Sequence, residues 1–400
     1  MARKYAVVGC GVAGVTASQF IRETDESGEI RIFTDEKYPF YSRMRLPEVV
    51  AGRTDPERLF LKGLEWFREM GIHFHPQEPI EKLSLNPLGL ISSKAHYEAD
   101  TVLLATGGHA FLPPLPGAES RGVMTLRSMD DAIRIRDKLG QVSRAVVIGG
   151  GLLGLELANA VRLRGVQVTV VEVFDRLLPR QTDPIAARFL QKSLEDMGLS
   201  FHLGVPPQGI DSANGRATAL ILQDGTRLEG ELFLVSAGVR PNSDLAREAG
   251  LKVDKAIVVN DKMETSAAGI YGAGDCIEHR GVYYGIWHAS EEQGRVAGTN
   301  MAGGDATYTG SLMSNQLKVV GIDMIAAGDI DPEGKLESEQ RQDPNRRVYR
   351  KIVYKGDAIA GLLLLGDISG HTRLLKAMKQ SLELGNLKGS LLDNIDKIPL

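Results

Sequence analysis

Short apolar runs, most of them closed by glycine, recur along the chain up to about residue 309. "YAVVG" (5–9), "EIRIFTDE" (29–36), "TVLLATGG" (101–108), "RAVVIGGG" (144–151), "VQVTVVE" (166–172) and "GIYGAGDC" (269–276) have this form. Apolar runs this short predict strands buried on both faces of a parallel sheet. Further strands are predicted at "GLISS" (89–93) and, with a breaker, at "GELFLVSAGVRPN" (230–242). Helical periodicity predicts helices over 12–23, 55–70, 129–139, 152–164, 183–197 and from about 289 to 301. "FLPPLPG" (111–117) carries three prolines, which rigidify a linker and cannot continue a helix. After it the pattern restarts. From Gly310 the texture changes: "LKVVGIDMIAAGD" and "RRVYRKIVYKGDAIAGLLLLGD" predict antiparallel strands with a hairpin turn at 355–357. An amphipathic helix is predicted over 372–385.

The same glycine signature occurs twice. "VVGCGVAGV" (7–15) places Gly9, Gly11 and Gly14 between a strand and a helix; "VVIGGGLLGLE" (146–156) does so with Gly149, Gly151 and Gly154. The first glycine permits the tight turn, the second lets a pyrophosphate approach the backbone, and the third lets helix and strand pack closely. The helix N-terminus then faces the phosphate charge. A carboxylate about 20 residues on accepts ribose hydroxyls in such units. Asp35 and Glu172 hold that position, though either also reads as an ordinary strand-end carboxylate. Two cradles predict two dinucleotides, and a nicotinamide beside a flavin is the pairing that moves electrons.

Composition narrows the class. The 400 residues suggest two or three domains, and 43% hydrophobic with 24% charged residues is ordinary for a soluble globular protein. The formal net charge of −4 gives no global pull toward nucleic acid or an anionic membrane. No apolar run is long enough to span a bilayer, and the first strand leaves no room for a signal peptide. The only cysteines, Cys10 and Cys276, form no C-x-x-C pattern. A disulfide framework is not expected and a cytoplasmic location is. No His/Cys grouping has metal-ligand spacing, so no bound metal is expected.

The ordered set "GCGVAG", "LLATGG" (103–108), "GGGLLGLE" (149–156), "AGVRPN" (237–242) and "TSAAGIYGAGDC" (265–276) resembles the two-dinucleotide-domain flavoproteins of the pyridine nucleotide-disulfide oxidoreductase superfamily. The resemblance covers essentially residues 1–310. It implies an α/β fold: two Rossmann-like dinucleotide-binding domains, the NAD domain inserted in the FAD domain, plus a small C-terminal α+β domain. The boundaries expected are 1–112 with 240–309 for FAD, 113–239 for NAD(P)H, and 310–400 for an interface or docking domain. It implies FAD contacts at Gly9, Gly11, Gly14, Asp35, Arg43, Thr106, Gly107, Gly274 and Asp275, the last bonding the ribityl chain unless it is a turn cap. It implies NAD contacts at Gly149, Gly151, Leu152, Leu153, Gly154, Glu156, Glu172 and Gly238. Glu172 accepts from a free 2′-hydroxyl and repels a 2′-phosphate, and "VFDR" after it holds one arginine, Arg176, so NADH is favoured over NADPH. Glu156 either orients the nicotinamide or supplies charge at a helix N-terminus.

Thiol-relay members of the superfamily carry cysteines in the NAD domain, after the first strands, or around "PFYSRMRLPE" (39–48), where this chain has none. That points toward NADH–rubredoxin reductases, ferredoxin reductases and the flavin part of NADH-dependent nitrite reductases. No catalytic side chain is certain; the candidates near the flavin are Arg43, Arg45, Trp287 and His288. Each has a plainer reading: surface arginine, core tryptophan, capping histidine. The expected activity is hydride transfer from NADH to FAD, then single electrons to rubredoxin or ferredoxin. An NADH oxidase or small-molecule reductase is one alternative, and an NADH-responsive redox-sensing binding protein another. Arg341, Arg346, Arg347, Arg350 and Lys351 offer a basic docking face for an acidic iron protein, or a solvated strand among mixed charges. A monomer or homodimer is expected.

Overall fold

The computed structural model describes residues 2–312 and 314–399, with side chains of 314–319 outside the description. Two compact units emerge: Met1–Met44 with Pro56–His109 and Val239–Ser311, and Arg45–Asp55 with Ala110–Gly238 and Leu312–Leu400.

The first unit is built on a five-stranded parallel sheet, in the order Ile270–Gly272, Thr101–Leu104, Lys4–Val8, Glu29–Phe33, Ile72–His75. Its central strands are buried on both faces, which is why they read as continuous apolar runs. Helices Val12–Thr24 and Trp287–Met301 pack against each other at glycines. A Cβ on Gly294 would lie 2.5 Å from the Ala13 carbonyl oxygen, and one on Gly298 2.4 Å from that of Ala17. Only glycine allows these backbones to approach so closely.

The second unit repeats the plan. Its parallel sheet runs Val123–Thr125, Leu232–Val235, Arg144–Ile148, Gln167–Glu172, Ser200–Leu203, with the glycine-linked strand again central. Each unit also carries a three-stranded antiparallel meander in the same place in the chain: Ile80–Leu85, Leu88–Ser92 and His96–Glu98 in one, Pro207–Ala213, Arg216–Leu222 and Arg227–Glu229 in the other.

The second unit ends in an antiparallel five-stranded sheet, ordered Ser314–Val319, Ile322–Gly328, Ala358–Leu365, Val348–Lys355, Ser338–Asp343, with helix His371–Lys379 packed on it. This sheet grips helix Pro184–Asp196 at both ends. Asp183 caps the helix start through the Ile185 and Ala186 N–H groups, and its other oxygen accepts from Tyr349 at 2.7 Å. Buried Lys351 lies 3.6 Å from Asp183 and donates to the Asp331 carbonyl. Arg347 pairs with Asp196 at the far end. The hydroxyl of Tyr349 is thereby held un-ionised by burial and the neighbouring carboxylate.

Two predicted helices need correction. Residues 55–70 form a 3-10 turn Pro56–Leu59, a strand Phe60–Lys62 and a short helix Leu64–Glu69, because Gly63 breaks the run and Phe60–Lys62 pairs with Phe40–Tyr41. The helix expected over 372–385 ends at Lys379: Ser381 turns left-handed (φ 48°) and Leu382 N–H folds back to the Ala377 carbonyl. Among the described residues no helix is long and apolar enough to cross a membrane.

Replacing Gly294 with alanine should overpack the contact with Ala13 and cost about 1–3 kcal/mol. A thermal melt of the purified protein checks this, and an unchanged midpoint would contradict the close approach.

Candidate dinucleotide elbows

The two glycine elbows use the same atoms in the same roles. Gly9 (φ 114°) and Gly149 (φ 122°) turn the chain out of the central strand. A Cβ on Gly9 would meet the Ala105 carbonyl oxygen at 2.0 Å, and one on Gly149 the Ser236 carbonyl oxygen at 2.2 Å. Both N–H groups bond back to the neighbouring strand, Gly9 to Phe33 at 2.8 Å and Gly149 to Val171 at 2.7 Å. A Cβ on Gly14 or Gly154 would lie 2.0 Å from the carbonyl oxygen of Gly9 or Gly149. Gly11 and Gly151 differ from these: a Cβ there meets nothing within 4 Å. Both are helix N-caps without a capping side chain, so the helix N–H groups beyond them are left for a ligand. The repeat extends to the turns after Thr101–Leu104 and Leu232–Val235, the strands on the other side of each elbow strand, where Gly107 (φ 67°) and Gly238 (φ 105°) likewise leave open space. Backbone donors, a helix N-terminus and open space where a side chain would sit fit a dinucleotide pyrophosphate at each elbow.

The acids at or just beyond the ends of Glu29–Phe33 and Gln167–Glu172 stand differently. Asp35 is exposed beyond Phe33. Glu172 is buried and accepts from Gly150 N–H at 2.7 Å and Phe174 N–H at 3.1 Å, so its carboxylate is locked against the elbow. Arg176 folds onto Asp175 and the Pro179 carbonyl rather than lying free for a phosphate.

In the first unit, Gly274 (φ 85°) and Asp275 follow strand Ile270–Gly272, and buried Gln293 accepts from Gly274 N–H at 2.9 Å. Thr106 and Asn242 bond reciprocally, hydroxyl to carbonyl at 2.6 Å and amide to carbonyl at 2.8 Å, so the Thr106 hydroxyl is engaged within the protein. Arg43 joins a triad with Glu36 and Tyr41: it donates to both, and Tyr41 donates to Glu36 at 2.6 Å. Burial works against the Arg43 charge, but Tyr41 and Glu36 beside it outweigh that and raise its pKa. Arg45 falls in the other unit, half-buried and paired with Glu48 at 2.7 Å. Trp287 packs beside Phe40 with ring centroids 5.9 Å apart, and exposed His288 follows it in the first turn of helix Trp287–Met301. Sequence patterns do not single out Gln293, Asn242, Glu36 or Tyr41; what marks each is its bonded partner, Gly274, Thr106 or Arg43.

In the second unit, Leu152, Leu153 and Glu156 lie at the start of helix Leu152–Arg162. Burial pushes the Glu156 carboxyl above the usual range; the Val320 N–H, bonded to its Oε1 at 2.7 Å, opposes this and Glu48 adds to it. Burial also pushes both thiols up. Cys276 donates to the Leu104 and Ala273 carbonyls in the core, and Cys10 is half-buried in the first elbow. The clustered basic residues face inward or are paired: Arg341 with Asp393, Arg347 with Asp196, Arg350 with the Ser369 carbonyl, Lys351 with Asp331 and Asp183, leaving Arg346 exposed.

A family model described as pyridine nucleotide-disulphide oxidoreductase matches residues 3–294, and one described as rubredoxin NAD+ reductase C-terminal domain matches 314–382. A nitrite reductase [NAD(P)H] of Bacillus subtilis is 34% identical over 96% of this chain and 48% of its own length. The chain thus spans about half of that relative. A rubredoxin-NAD(+) reductase of Ectopseudomonas oleovorans is 35% identical over 70% of this chain and 73% of its own. The solved NADH:rubredoxin oxidoreductase of Clostridium acetobutylicum superposes with a TM-score of 0.83 at 27% identity, covering 98% of this chain and 100% of that one.

Gly11→Asp and Gly151→Asp should each fold, because both positions have ordinary backbone angles and aspartate caps a helix well. Gly11→Asp should be purified without flavin. Gly151→Asp should keep its flavin and lose reduction by NADH. Absorption spectra before and after NADH addition read both.

Proposed function

Because the chain belongs to the pyridine nucleotide-disulphide oxidoreductase family, we propose that it is an FAD-dependent NADH oxidoreductase that hands single electrons to a small iron protein, rubredoxin or ferredoxin. The observation that carries this reading is the doubled elbow, with open space at Gly11 and Gly151 and uncapped helix N-termini beyond them. When bound, FAD would supply the step a side chain cannot: accepting one hydride, with its two electrons, and releasing those electrons one at a time. The residues bind and orient. The first elbow holds the FAD pyrophosphate on the N-terminus of helix Val12–Thr24, Asp35 accepts from the ribose, and the Gly274–Asp275 turn, fixed by Gln293, meets the ribityl chain. Arg43, held by Glu36 and Tyr41, supplies a fixed cation in this unit.

The second elbow holds NADH. Glu172 discriminates the nicotinamide nucleotide. Its carboxylate, pinned by two backbone N–H groups, accepts from a free 2′-hydroxyl and repels a 2′-phosphate. NADH is therefore the preferred donor. Neither cysteine suits a thiol relay, since burial holds both as thiols. Two free cysteines also suit a reducing cytoplasm.

The test is anaerobic reduction by NADH in a stopped-flow instrument, then mixing with oxidised rubredoxin or ferredoxin. Reoxidation by a carrier much faster than by oxygen supports the reading. Rapid reoxidation by oxygen alone would make the protein an oxidase. Slow reoxidation by every acceptor, with a change of oligomeric state, would make it a sensor. A Cys10→Ala/Cys276→Ala variant that keeps its flavin should retain most of its carrier-reducing rate, and loss of that rate would restore a role for sulfur.

A further inference from the structure

We propose that the tip of the hairpin joining Ser314–Val319 to Ile322–Gly328 is a positioning element of the NADH site, with the Val320 N–H fixing the Glu156 carboxylate at the second elbow. Val319 pairs with Ile322, so the turn is the two residues Val320 and Gly321. Both have positive φ, 53° and 88°. Such primed turns favour Asn-Gly or Gly-Gly, and a β-branched residue in the left-handed region is strained. Valine is nonetheless present, and it is only 8% exposed, so the tip is seated against the protein rather than waving in solvent.

The first residue of a two-residue hairpin turn has an N–H with no place in the strand ladder. Here that N–H donates to Glu156 Oε1 at 2.7 Å. Glu156 is the fifth residue of helix Leu152–Arg162, one turn in from the elbow glycine Gly151. One carboxylate oxygen is thus taken by the hairpin, and the other is left for a further donor. The carboxamide of a nicotinamide is a donor of that kind. The charged group facing Glu156 is the Glu48 carboxylate, itself paired with Arg45. Without the Val320 N–H, the half-buried Glu156 side chain has rotamers to choose among, and a bound carboxamide loses a fixed acceptor.

The inference rests on reading the second elbow as the NADH site. The experiment is stopped-flow reduction of the flavin-replete protein by NADH. A slower limiting rate with 4-deuterated NADH identifies that rate as hydride transfer. Val320→Pro removes the N–H and, with its fixed negative φ, the turn that presents it. Glu156→Ala removes the acceptor. Each should lower the limiting rate of flavin reduction on the order of ten-fold, while the half-saturating NADH concentration changes little, because the phosphate and ribose contacts are untouched. The double variant should be no slower than the slower single one. Val320→Asn, which keeps the N–H and tolerates a left-handed turn, should keep most of the unaltered rate. A limiting rate in Val320→Pro equal to that of the unaltered protein, or losses that multiply in the double variant, would overturn the proposal. If Val320→Pro loses its flavin, Glu156→Ala carries the test: the Val320 amide should then exchange its hydrogen faster, and retained protection overturns the bond. Gly151→Asp separates the two readings. If it still reduces normally, the NADH site itself is wrong; if it fails while Val320→Pro is unaffected, only the hairpin's role falls.

Discussion

The third glycine of each elbow touches the carbonyl of the first, and the rest of each unit is arranged around that contact. At Gly14 and Gly154 a Cβ would sit 2.0 Å from that oxygen, so no other residue fits without moving the helix. The contact seats the helix directly beyond the strand end and aims its N–H groups at the space left by Gly11 and Gly151. Burial of the central strands on both faces then fixes the sheet, and helix Trp287–Met301 reaches helix Val12–Thr24 only because Gly294 and Gly298 leave room. Binding chemistry and packing therefore share the same atoms.

Repetition extends past the glycines. Four strands of each parallel sheet keep the same order around the elbow strand, while the outer fifth comes last along the chain in one unit and first in the other. Each unit inserts a three-stranded meander, and Thr101–Leu104 and Leu232–Val235 are each followed by an open positive-φ glycine. The units differ at the acid by the end of the strand that follows each elbow helix: Asp35 is exposed, whereas Glu172 is locked by two backbone donors. On the proposed reading, that difference makes the second elbow selective for its nucleotide.

The inner parallel strands and the glycine spacing are legible in the sequence because each is a local pattern; the partly exposed edge strands Ile72–His75, Val123–Thr125 and Ser200–Leu203 are not, since none is a buried apolar run. Helix Met129–Leu139 is legible with both its ends, and in the structure a Ser128–Asp131 capping box closes its start. Of the meanders only "GLISS" stands out: Ile80–Leu85 is largely exposed, His96–Glu98 is short, and Arg216–Leu222, though mostly buried, is interrupted by threonine. The run at 55–70 misleads because helical periodicity outweighs Gly63, and strand pairing with Phe40–Tyr41 decides the outcome. In the site, Asn242 acts on Thr106 from far away in sequence, and Gln293 acts on Gly274 from inside a helix at a spacing no motif marks. The basic cluster at 341–351 reads as a docking face, but its partners Asp196, Asp393 and Asp183 are equally remote.

The most direct measurement of the central claim is an anaerobic titration of the purified yellow protein with NADH. The account predicts that one NADH per flavin bleaches the oxidised-flavin absorption completely. A colourless protein that takes up no FAD would contradict it, as would a requirement for a second NADH per flavin, which would reveal another two-electron centre.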